Sequence, residues 1–280
     1  MKDYVNPQLL VTAEDLAERL SATGNNSDLV TLIDLRTAEE FSSGHLDGAV
    51  HLDLFGLSII DTDPAPLKAF LWIIANLLVS RGVTPEKNVV VYDSQSGIRA
   101  ARAFWFLEVF GHRNVQVLDG GFKIWESFGF PATKKSIVPA KGDWSVCKNN
   151  SVLATWKDVY KGLDNEKVVI LDTRSENEYL GMAKRAKRSG AIPGAINIEW
   201  TENLKEDGTF KPASELSVMY QEAGVTPDKE VISYCQGGYR AAHSYLALRL
   251  LGYSQVRNYV GSWKEWGDRV DLPVEIPESI

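Results

Sequence analysis

Cysteine is scarce in this sequence, with two among 280 residues, Cys147 and Cys235. Small secreted domains that depend on disulfides carry many more, so a disulfide framework is excluded and a reducing cytoplasm is the expected compartment. The four histidines lack metal-ligand spacing, no Cys-X-X-Cys pair occurs, and Gly120-Gly121 lacks the third glycine of a dinucleotide-binding loop. The sequence therefore predicts no metal site and no cofactor.

Long apolar runs and a basic surplus are also missing. The longest apolar run, residues 69–79, is about half the length that a bilayer requires, and acidic residues interrupt the first 20 positions. Neither a membrane-spanning helix nor a signal peptide is expected. The net charge is −7, so nucleic acid and anionic membranes are not expected as partners. Any anion site must come from a local concentration of positive charge.

The chain contains an internal duplication. Four segments of the first half recur in the second half in the same order, namely residues 82–87 as 224–229, 32–36 as 170–174, 44–49 as 190–195, and 120–125 as 261–266. One such match could arise by chance, but four in register indicate homologous halves. We assign residues 1–130 to a first domain, 131–150 to a linker with two prolines, and 151–280 to a second domain.

Each half alternates short apolar runs with segments of helical periodicity. The predicted strands are residues 29–34, 89–92, 168–172 and 231–234, and the predicted helices of the first half are residues 65–81, 99–110 and 121–128. This alternation predicts an α/β fold in which each domain has a mostly parallel sheet flanked by helices. Trp72, Trp105, Trp125 and Trp266 lie on apolar helix faces and are expected in the core.

One strand-to-helix junction carries a nucleophile in the second half only. There, residues 231–234 lead into Cys235-Gln236-Gly237-Gly238-Tyr239-Arg240 and then into a helix. The equivalent junction of the first half begins with Asp93 and reaches its arginine, Arg99, after a loop that is one residue longer. In parallel α/β sheets the working loops lie beyond the carboxyl ends of the strands, so Cys235 is placed where chemistry is expected.

The setting of Cys235 favours a reactive thiolate. A helix N-terminus presents free N–H groups and a positive dipole end, Gly237 and Gly238 let the backbone turn its amides inward as an anion nest, and Arg240 adds a fixed charge. A free thiol has a pKa of about 8.5, and lowering that pKa by about two units makes the thiolate the main species at neutral pH. A small buried hydrophobic residue is the alternative interpretation of Cys235. His243 lies two turns along the same helix, too far away to act as its base.

At this loop the sequence resembles the tandem rhodanese-type sulfurtransferases over essentially its whole length. Residues 41–49, Phe-Ser-Ser-Gly-His-Leu-Asp-Gly-Ala, are similar to the amino-terminal signature of that family, with Asp47 where proline is usual. Residues 259–266, Tyr-Val-Gly-Ser-Trp-Lys-Glu-Trp, resemble its carboxy-terminal signature. The resemblance implies an inactive first domain that covers the active site, and a second domain whose Cys235 accepts sulfur as a persulfide and passes it to cyanide or a thiol.

Positive charge near this loop has two candidate sources. Arg240 has a counterpart, Arg99, in the half without a nucleophile, so we expect it to brace the loop, against Asp172 or Glu178, as well as to act on the thiolate. Residues 184–188, Lys-Arg-Ala-Lys-Arg, have no match in the first half and form either a solvated loop or a binding site for an anionic donor. Family members with a substrate arginine carry it at the position of Glu178, so Arg185 or Arg188 would have to substitute for it.

Three functions compete at this point. Sulfur transfer from thiosulfate through Cys235 is the leading one, and mercaptopyruvate is the alternative donor. Glu178 would repel the mercaptopyruvate carboxylate, and this loop lacks the Cys-Gly-Ser-Gly-Val pattern of the relatives that use that donor. Phosphatases of related fold use a Cys-X5-Arg loop, one residue longer than this Cys-X4-Arg loop. A non-catalytic binding module is the third possibility, and Cys235 argues against it.

The expected partners are small molecules, a sulfur donor and a cyanide or thiol acceptor. Cys147, in the linker, is expected to be incidental.

Overall fold

The computed structural model describes residues 2–23, 30–144 and 149–278. Within them the strands are β1 (Leu10–Val11), β2 (Val30–Asp34), β3 (Ala49–His51), β4 (Asn88–Tyr92), β5 (Val115–Leu118), β6 (Leu153–Ala154), β7 (Val168–Asp172), β8 (Ile196–Asn197), β9 (Glu230–Tyr234) and β10 (Val256–Tyr259). The helices are α1 (Ala13–Thr23), α2 (Ala38–Ser43), α3 (Pro64–Val79), α4 (Ile98–Val109), α5 (Gly121–Ser127), α6 (Trp156–Gly162), α7 (Glu176–Tyr179), α8 (Ala213–Glu222), α9 (Tyr239–Leu250) and α10 (Ser262–Trp266). Short 3₁₀ turns at Pro7–Leu9, Asn150–Val152 and Trp200–Asn203 complete the regular structure of these residues.

The strands form one sheet in each half. The described strands of the first half are ordered β1-β5-β4-β2-β3, and those of the second half are ordered β6-β10-β9-β7-β8. Every pairing between these strands is parallel. The predicted α/β class is confirmed, and the sheets are entirely parallel rather than mostly so. In both orders the middle strand, β4 or β9, is the one that leads into the junction singled out above.

A buried ion pair recurs at the end of a strand next to each middle strand. In the first half Arg36 Nη2 contacts Asp34 at 2.6 Å, and in the second half Arg174 Nη2 contacts Asp172 at 2.5 Å. Each arginine also donates to a backbone carbonyl further along the chain, Gly44 at 2.6 Å or Gly190 at 2.8 Å. Because both halves keep this arrangement, it fixes the fold of the strand end rather than serving a single site.

The two halves meet along α4 and α9, which pack against each other. Most side chains of both helices are buried, since each contacts its own sheet on one side and the other helix on the opposite side. Polar bonds also cross this interface. Tyr245 of α9 donates to Glu108 of α4, Arg249 contacts the same carboxylate at 3.0 Å, and Trp105 Nε1 donates to Val152 O at 2.9 Å.

Each half also covers the central loop of the other half. Residues 54–62 of the first half lie over the start of α9, where the Tyr239 hydroxyl donates to Leu54 O at 2.6 Å. The same segment is anchored by Thr62, whose backbone N–H donates to Glu265 at 2.6 Å. In the opposite direction, residues 208–210 of the second half lie over the first half's loop, where Ser96 N donates to Gly208 O at 3.0 Å.

One expectation about the core is wrong. Trp105, Trp125 and Trp266 are buried, but the side chain of Trp72 is 67% exposed. Helix α3 is apolar around most of its circumference, and its buried stripe runs through Leu67, Leu71, Ile74 and Leu78 at helical spacing. Trp72 falls beside that stripe, on the outer face.

The segment predicted as a linker is described in part. Residues 131–144 run back along the first half, where Thr133 pairs with His45 and Gly142 N donates to Val79 O at 2.8 Å. Cys147 lies outside the described residues. Among the helices that are described, none combines the length and the apolar character needed to cross a membrane.

Separating the halves tests how far the second depends on the first. Residues 151–280 alone would expose Tyr239 and Tyr245, and uncovering two large side chains costs about 3 kcal/mol. That loss corresponds to about 10 °C in a domain of this size. We expect the fragment to melt at least that far below the full chain and to aggregate, as measured by circular dichroism and size-exclusion chromatography. A monodisperse fragment with the melting temperature of the full chain would contradict this dependence.

Candidate active site

Cys235 is the first residue after β9, in the middle of the second sheet. Its side chain is 1% exposed, and its backbone N–H donates to the Ser262 hydroxyl at 3.1 Å. Its carbonyl accepts the N–H of Trp263 at 2.9 Å. Both partners belong to α10, so the backbone of Cys235 is fixed on that side while the thiol points into the loop.

The loop turns its amides toward the thiol. Gly238 N donates to Cys235 Sγ at 3.0 Å, and the N–H groups of Gly237 and Ala241 also act on the thiolate. This turn needs a left-handed residue, since Gly238 has φ +82° and a Cβ there would collide with Arg102. The Gly238 carbonyl is held in turn by Asn258 Nδ2 at 3.0 Å. The predicted anion nest therefore has its amides converging on Cys235.

Opposing effects set the acidity of Cys235. Burial alone would raise the pKa of this thiol, because a thiolate is poorly solvated inside a protein. The charge of Arg240, the backbone N–H groups and the charge of Arg102 together outweigh burial, so the pKa of Cys235 lies below its ordinary value. A pKa that is lowered in spite of complete burial is typical of a nucleophilic cysteine.

Glu178, one of the two carboxylates that the sequence analysis named as a partner for Arg240, holds that side chain. Nη1 and Nη2 of Arg240 contact the two oxygens of Glu178 at 2.6 and 3.0 Å, a bidentate geometry. Burial would raise the pKa of Glu178, but its hydrogen bonds with Arg240 and the nearby positive charges lower it, so the carboxylate stays ionised. Arg240 is therefore held in one position beside Cys235.

The basic loop, residues 184–188, lies at the rim of this site. Arg185 is 62% exposed and its Nε lies 3.5 Å from Glu178, while its carbonyl accepts the Gln236 side chain at 2.9 Å. Arg188 is placed differently. Its guanidinium donates to the carbonyls of Gly267, Leu272, Trp266 and Arg269. The structure therefore brings Arg185 to the loop that follows Cys235, whereas the donors of Arg188 hold the basic loop against the end of α10 and the segment after it.

Gln236 and Tyr239, the other predicted loop residues, connect the loop to its surroundings. Gln236 bonds to the basic loop through its amide nitrogen, and its backbone carbonyl accepts the N–H of Lys264 at 2.9 Å. The Tyr239 hydroxyl bonds to the covering segment of the first half. These contacts position the loop rather than the thiol itself.

The equivalent loop of the first half holds a carboxylate in its amide nest. Asp93 accepts from the backbone N–H groups of Gly97 and Arg99 at 3.0 Å and from that of Ala100 at 3.2 Å. Burial raises the pKa of Asp93 to about 6, although these amides act in the opposite direction. The nest of the first half is therefore occupied by the chain's own side chain.

Two residues of the site escaped the sequence analysis. Ser262, which holds the Cys235 backbone, has φ +54° and stands where the first half has Gly121 with φ +58°. The difference between serine here and glycine in the first half was the available signal. Arg102 comes from α4 of the first half and contacts the catalytic loop at Gly238. No periodicity within one half can reveal a contact between halves.

The comparisons with known proteins agree across the chain. The rhodanese-like domain family matches twice, at residues 12–128 and 155–269. The thiosulfate sulfurtransferase of Azotobacter vinelandii is 33% identical over 277 residues, covering 99% of this chain and 100% of its own length. The thiosulfate sulfurtransferase of Pseudomonas aeruginosa is 34% identical over 280 residues, with coverages of 99% and 100%.

Solved structures with the same fold include the enzyme EanB, which superposes with a TM-score of 0.84 at 23% identity over 97% of this chain and 70% of EanB. The anaerobic ergothioneine biosynthesis enzyme of Chlorobium limicola, in complex with trimethyl histidine, gives a TM-score of 0.81 at 24% identity over 97% of this chain and 71% of that one. At these identities the likeness shows the fold alone.

The role of Arg240 can be measured on the thiol itself. Replacing a cation beside a thiolate with a neutral side chain raises the thiol pKa, so Arg240→Met should slow alkylation of Cys235 by iodoacetamide at pH 7 by about tenfold. The matched control is Arg99→Met, since Arg99 occupies the same position in the first half and pairs with Asp53 at 2.9 Å. An unchanged pH profile of alkylation in Arg240→Met would remove Arg240 from the electrostatics of the site.

Proposed function

We propose a mechanism from one premise: the chain belongs to the rhodanese-like family and is a sulfurtransferase with two such domains in tandem. In this mechanism Cys235 carries the transferred sulfur, and the loop from Gln236 to Arg240 binds the anions that form and leave. The observation that carries the proposal is the set of inward-facing amides around a buried thiol whose pKa is lowered. Thiosulfate is the proposed donor, and cyanide or a thiol is the proposed acceptor.

The first step transfers the outer sulfur of thiosulfate to the enzyme. The Cys235 thiolate attacks that sulfur, a bond forms between it and Sγ, and the sulfur–sulfur bond of thiosulfate breaks, with its electron pair leaving on sulfite. The products are an enzyme persulfide anion and sulfite, so the total charge is unchanged. The amides of Gly237 and Gly238 and the charge of Arg240 stabilise the anionic sulfur throughout.

The second step regenerates the thiolate. An acceptor such as cyanide attacks the outer sulfur of the persulfide, the sulfur–sulfur bond breaks, and its electron pair returns to Sγ. Thiocyanate forms when cyanide is the acceptor, and a new persulfide forms when a thiolate is the acceptor. No proton or cofactor is needed in either step if the thiol enters as thiolate, which the lowered pKa favours.

The charges at the rim favour thiosulfate over mercaptopyruvate. Recognition of a carboxylate calls for an arginine with both donors available, but Arg240 is engaged by Glu178 in a bidentate pair. Glu178 itself is an ionised carboxylate that would repel the mercaptopyruvate carboxylate. Thiosulfate needs amide donors and a positive field, and exposed Arg185 adds to that field. Arg188 would act on the donor through the position of the basic loop, because its guanidinium is bonded to carbonyls.

Phosphatase chemistry has less support. A phosphate cradle needs its arginine to face the phosphate oxygens, whereas both terminal nitrogens of Arg240 contact Glu178. The loop also has one residue fewer between its cysteine and arginine than the Cys-X5-Arg loop of such phosphatases.

We assign the first half, residues 1–130, to a covering role without sulfur chemistry of its own. Asp93 fills its nest, and residues 208–210 of the second half lie over it. The catalytic half, residues 151–280, receives its cover from residues 54–62 of the first half.

The nucleophile is tested by Cys235→Ser. A hydroxyl cannot hold a persulfide, so this variant should fold normally and lose sulfur transfer entirely. Intact-mass analysis after thiosulfate should show one added sulfur atom on the wild type and none on the variant. Cys147→Ser is the matched control and should keep both the added mass and the turnover. Turnover above a no-enzyme control in Cys235→Ser would end the assignment.

A second test moves the thiol to the first half and asks whether the loop there can support sulfur transfer. Asp93→Cys combined with Cys235→Ser should stay inactive, because the longer loop lacks a glycine pair and residues 208–210 cover it. Recovered activity would show that the first half retains a working cradle.

Donor choice is tested by comparing kcat/KM for thiosulfate and mercaptopyruvate, and thiosulfate should be preferred. Arg185→Glu should lower kcat/KM for thiosulfate, and more strongly at low salt, since salt screens an exposed charge. Arg113→Glu, the same change of two charge units at an exposed position between α4 and β5, controls for the net charge. A clear preference for mercaptopyruvate would refute the donor argument and leave Cys235 in place.

A further inference from the structure

Arg102 is an unpaired charge in the interior of the protein. Its side chain is completely buried, and its Nε, Nη1 and Nη2 have no hydrogen-bond partner among the described residues. Buried arginines ordinarily bond to carboxylates or carbonyls, as Arg36 and Arg174 do here. A buried guanidinium without a hydrogen-bond partner among the described residues raises the question of which negative charge balances it.

The guanidinium of Arg102 is aimed at the catalytic loop. A Cβ built on Gly238 would collide with its Nη1, so the charge lies directly against the residue whose amide donates to Cys235 Sγ. Aromatic rings surround it on other sides, with Cζ 4.1 Å from the Tyr239 ring centroid and 4.9 Å from that of Phe106. Ring faces stabilise a cation without neutralising it, so the positive charge remains available to the loop.

Two neighbouring groups affect the pKa of Arg102. Burial lowers this pKa, and the charges that Tyr239 and Cys235 can carry raise it. The pKa of Tyr239 is raised by burial, so its hydroxyl is neutral near pH 7. Two positive charges lower the pKa of Cys235, that of Arg240 in α9 and that of Arg102 in α4. Of these two arginines, Arg240 has a counter-ion in Glu178, whereas Arg102 has none within residues 2–23, 30–144 and 149–278.

We propose that Arg102, supplied by the first half, is the buried counter-charge of the anionic sulfur on Cys235, a thiolate in the free enzyme and a persulfide in the sulfur-loaded enzyme. The inference rests on the proposed function for its persulfide part and on the geometry of Arg102 for its thiolate part. Arg102 lies against Gly238, whose N–H donates to the sulfur, so its charge acts on Cys235 across the loop. It gives the first half an electrostatic share in the chemistry of the second.

The decisive measurement is the pH profile of Cys235 alkylation by iodoacetamide in full-length variants. Arg102→Met and Arg102→Gln remove the charge and should raise the thiol pKa by about one unit, which slows alkylation at pH 7 severalfold. Arg102→Lys keeps the charge and should stay near the wild-type profile. Arg249→Met is the matched control, because it breaks an ion pair between the same two helices about 14 Å along α9 from Arg240.

Stability separates this role from a structural one. If Arg102 serves the anion, the neutral variants should fold and melt near the wild type, since they lose the desolvation cost of a buried guanidinium together with its attraction to Cys235. They should also lower kcat for thiosulfate at pH 7 and recover part of it at higher pH, where the thiol ionises without help. An unchanged thiol pKa in both neutral variants, or an Arg102→Lys profile that matches Arg102→Met, would overturn the proposal. So would failure of both neutral variants to fold, because the fold would then need the charge.

These outcomes are distinct from a failure of the proposed function. Alkylation reports on the thiol whether or not sulfur is transferred, so a raised pKa in the neutral variants supports Arg102 even if Cys235→Ser retains turnover. Conversely, an unchanged pKa in those variants counts against Arg102 and leaves the assignment of Cys235 as nucleophile untouched.

Discussion

The packing of α4 against α9 joins the two sheets and determines what each central loop faces. Both helices begin at the loop of their own half, and one turn later each presents a side chain to the loop of the other half. The aligned stretches are Arg-Ala-Ala-Arg, ending at Arg102, and Arg-Ala-Ala-His, ending at His243. Arg102 lies against Gly238, and His243 Nε2 lies 2.8 Å from Ser96 O. Burial lowers the pKa of His243 to about 4, so it is neutral near pH 7. A symmetric contact left by duplication has thus diverged into a charge at one loop and a neutral contact at the other.

The two loops are the same anion nest with different contents. A carboxylate in the first loop takes the amides of Gly97, Arg99 and Ala100, and being part of the chain it cannot leave. In the second loop the thiol accepts from Gly238, and the adjacent amides can serve an anion that arrives and departs. The difference between Asp93 and Cys235 therefore separates an internally satisfied loop from one that can bind a substrate.

Sequence patterns predicted those features of the fold and the site that depend on residues close together in the chain. Periodicity predicted the parallel sheets and the helices, and the junction pattern placed Cys235 in the loop between β9 and α9, just before two glycines. The sequence also supplied Glu178 as one of two braces for Arg240. It failed where the cause was tertiary. Trp72 has helical spacing but lies off the buried stripe, and Arg102 lies against the loop of the other half. The bonds from Arg188 to carbonyls about 80 residues away were also not indicated, while its role at the donor stays a prediction. These outcomes depend on packing against residues far away along the chain, so no local pattern could indicate them.

The two arginines nearest the thiol differ in what their charges can do. Arg240 is held by Glu178 in a bidentate pair and lowers the pKa of Cys235 from that fixed position, so the same residue orders the loop and acts on the thiol. Arg102 has no such partner among the described residues, and burying an uncompensated charge costs several kcal/mol. Aromatic rings offset part of that cost, and in our proposal a negative charge on Cys235 offsets more of it. On that proposal, the fold favours the ionised form of Cys235 for the same reason that it tolerates Arg102. Since the guanidinium belongs to the first half and the thiol to the second, the proposal makes stabilisation of the anion depend on the packing of α4 against α9.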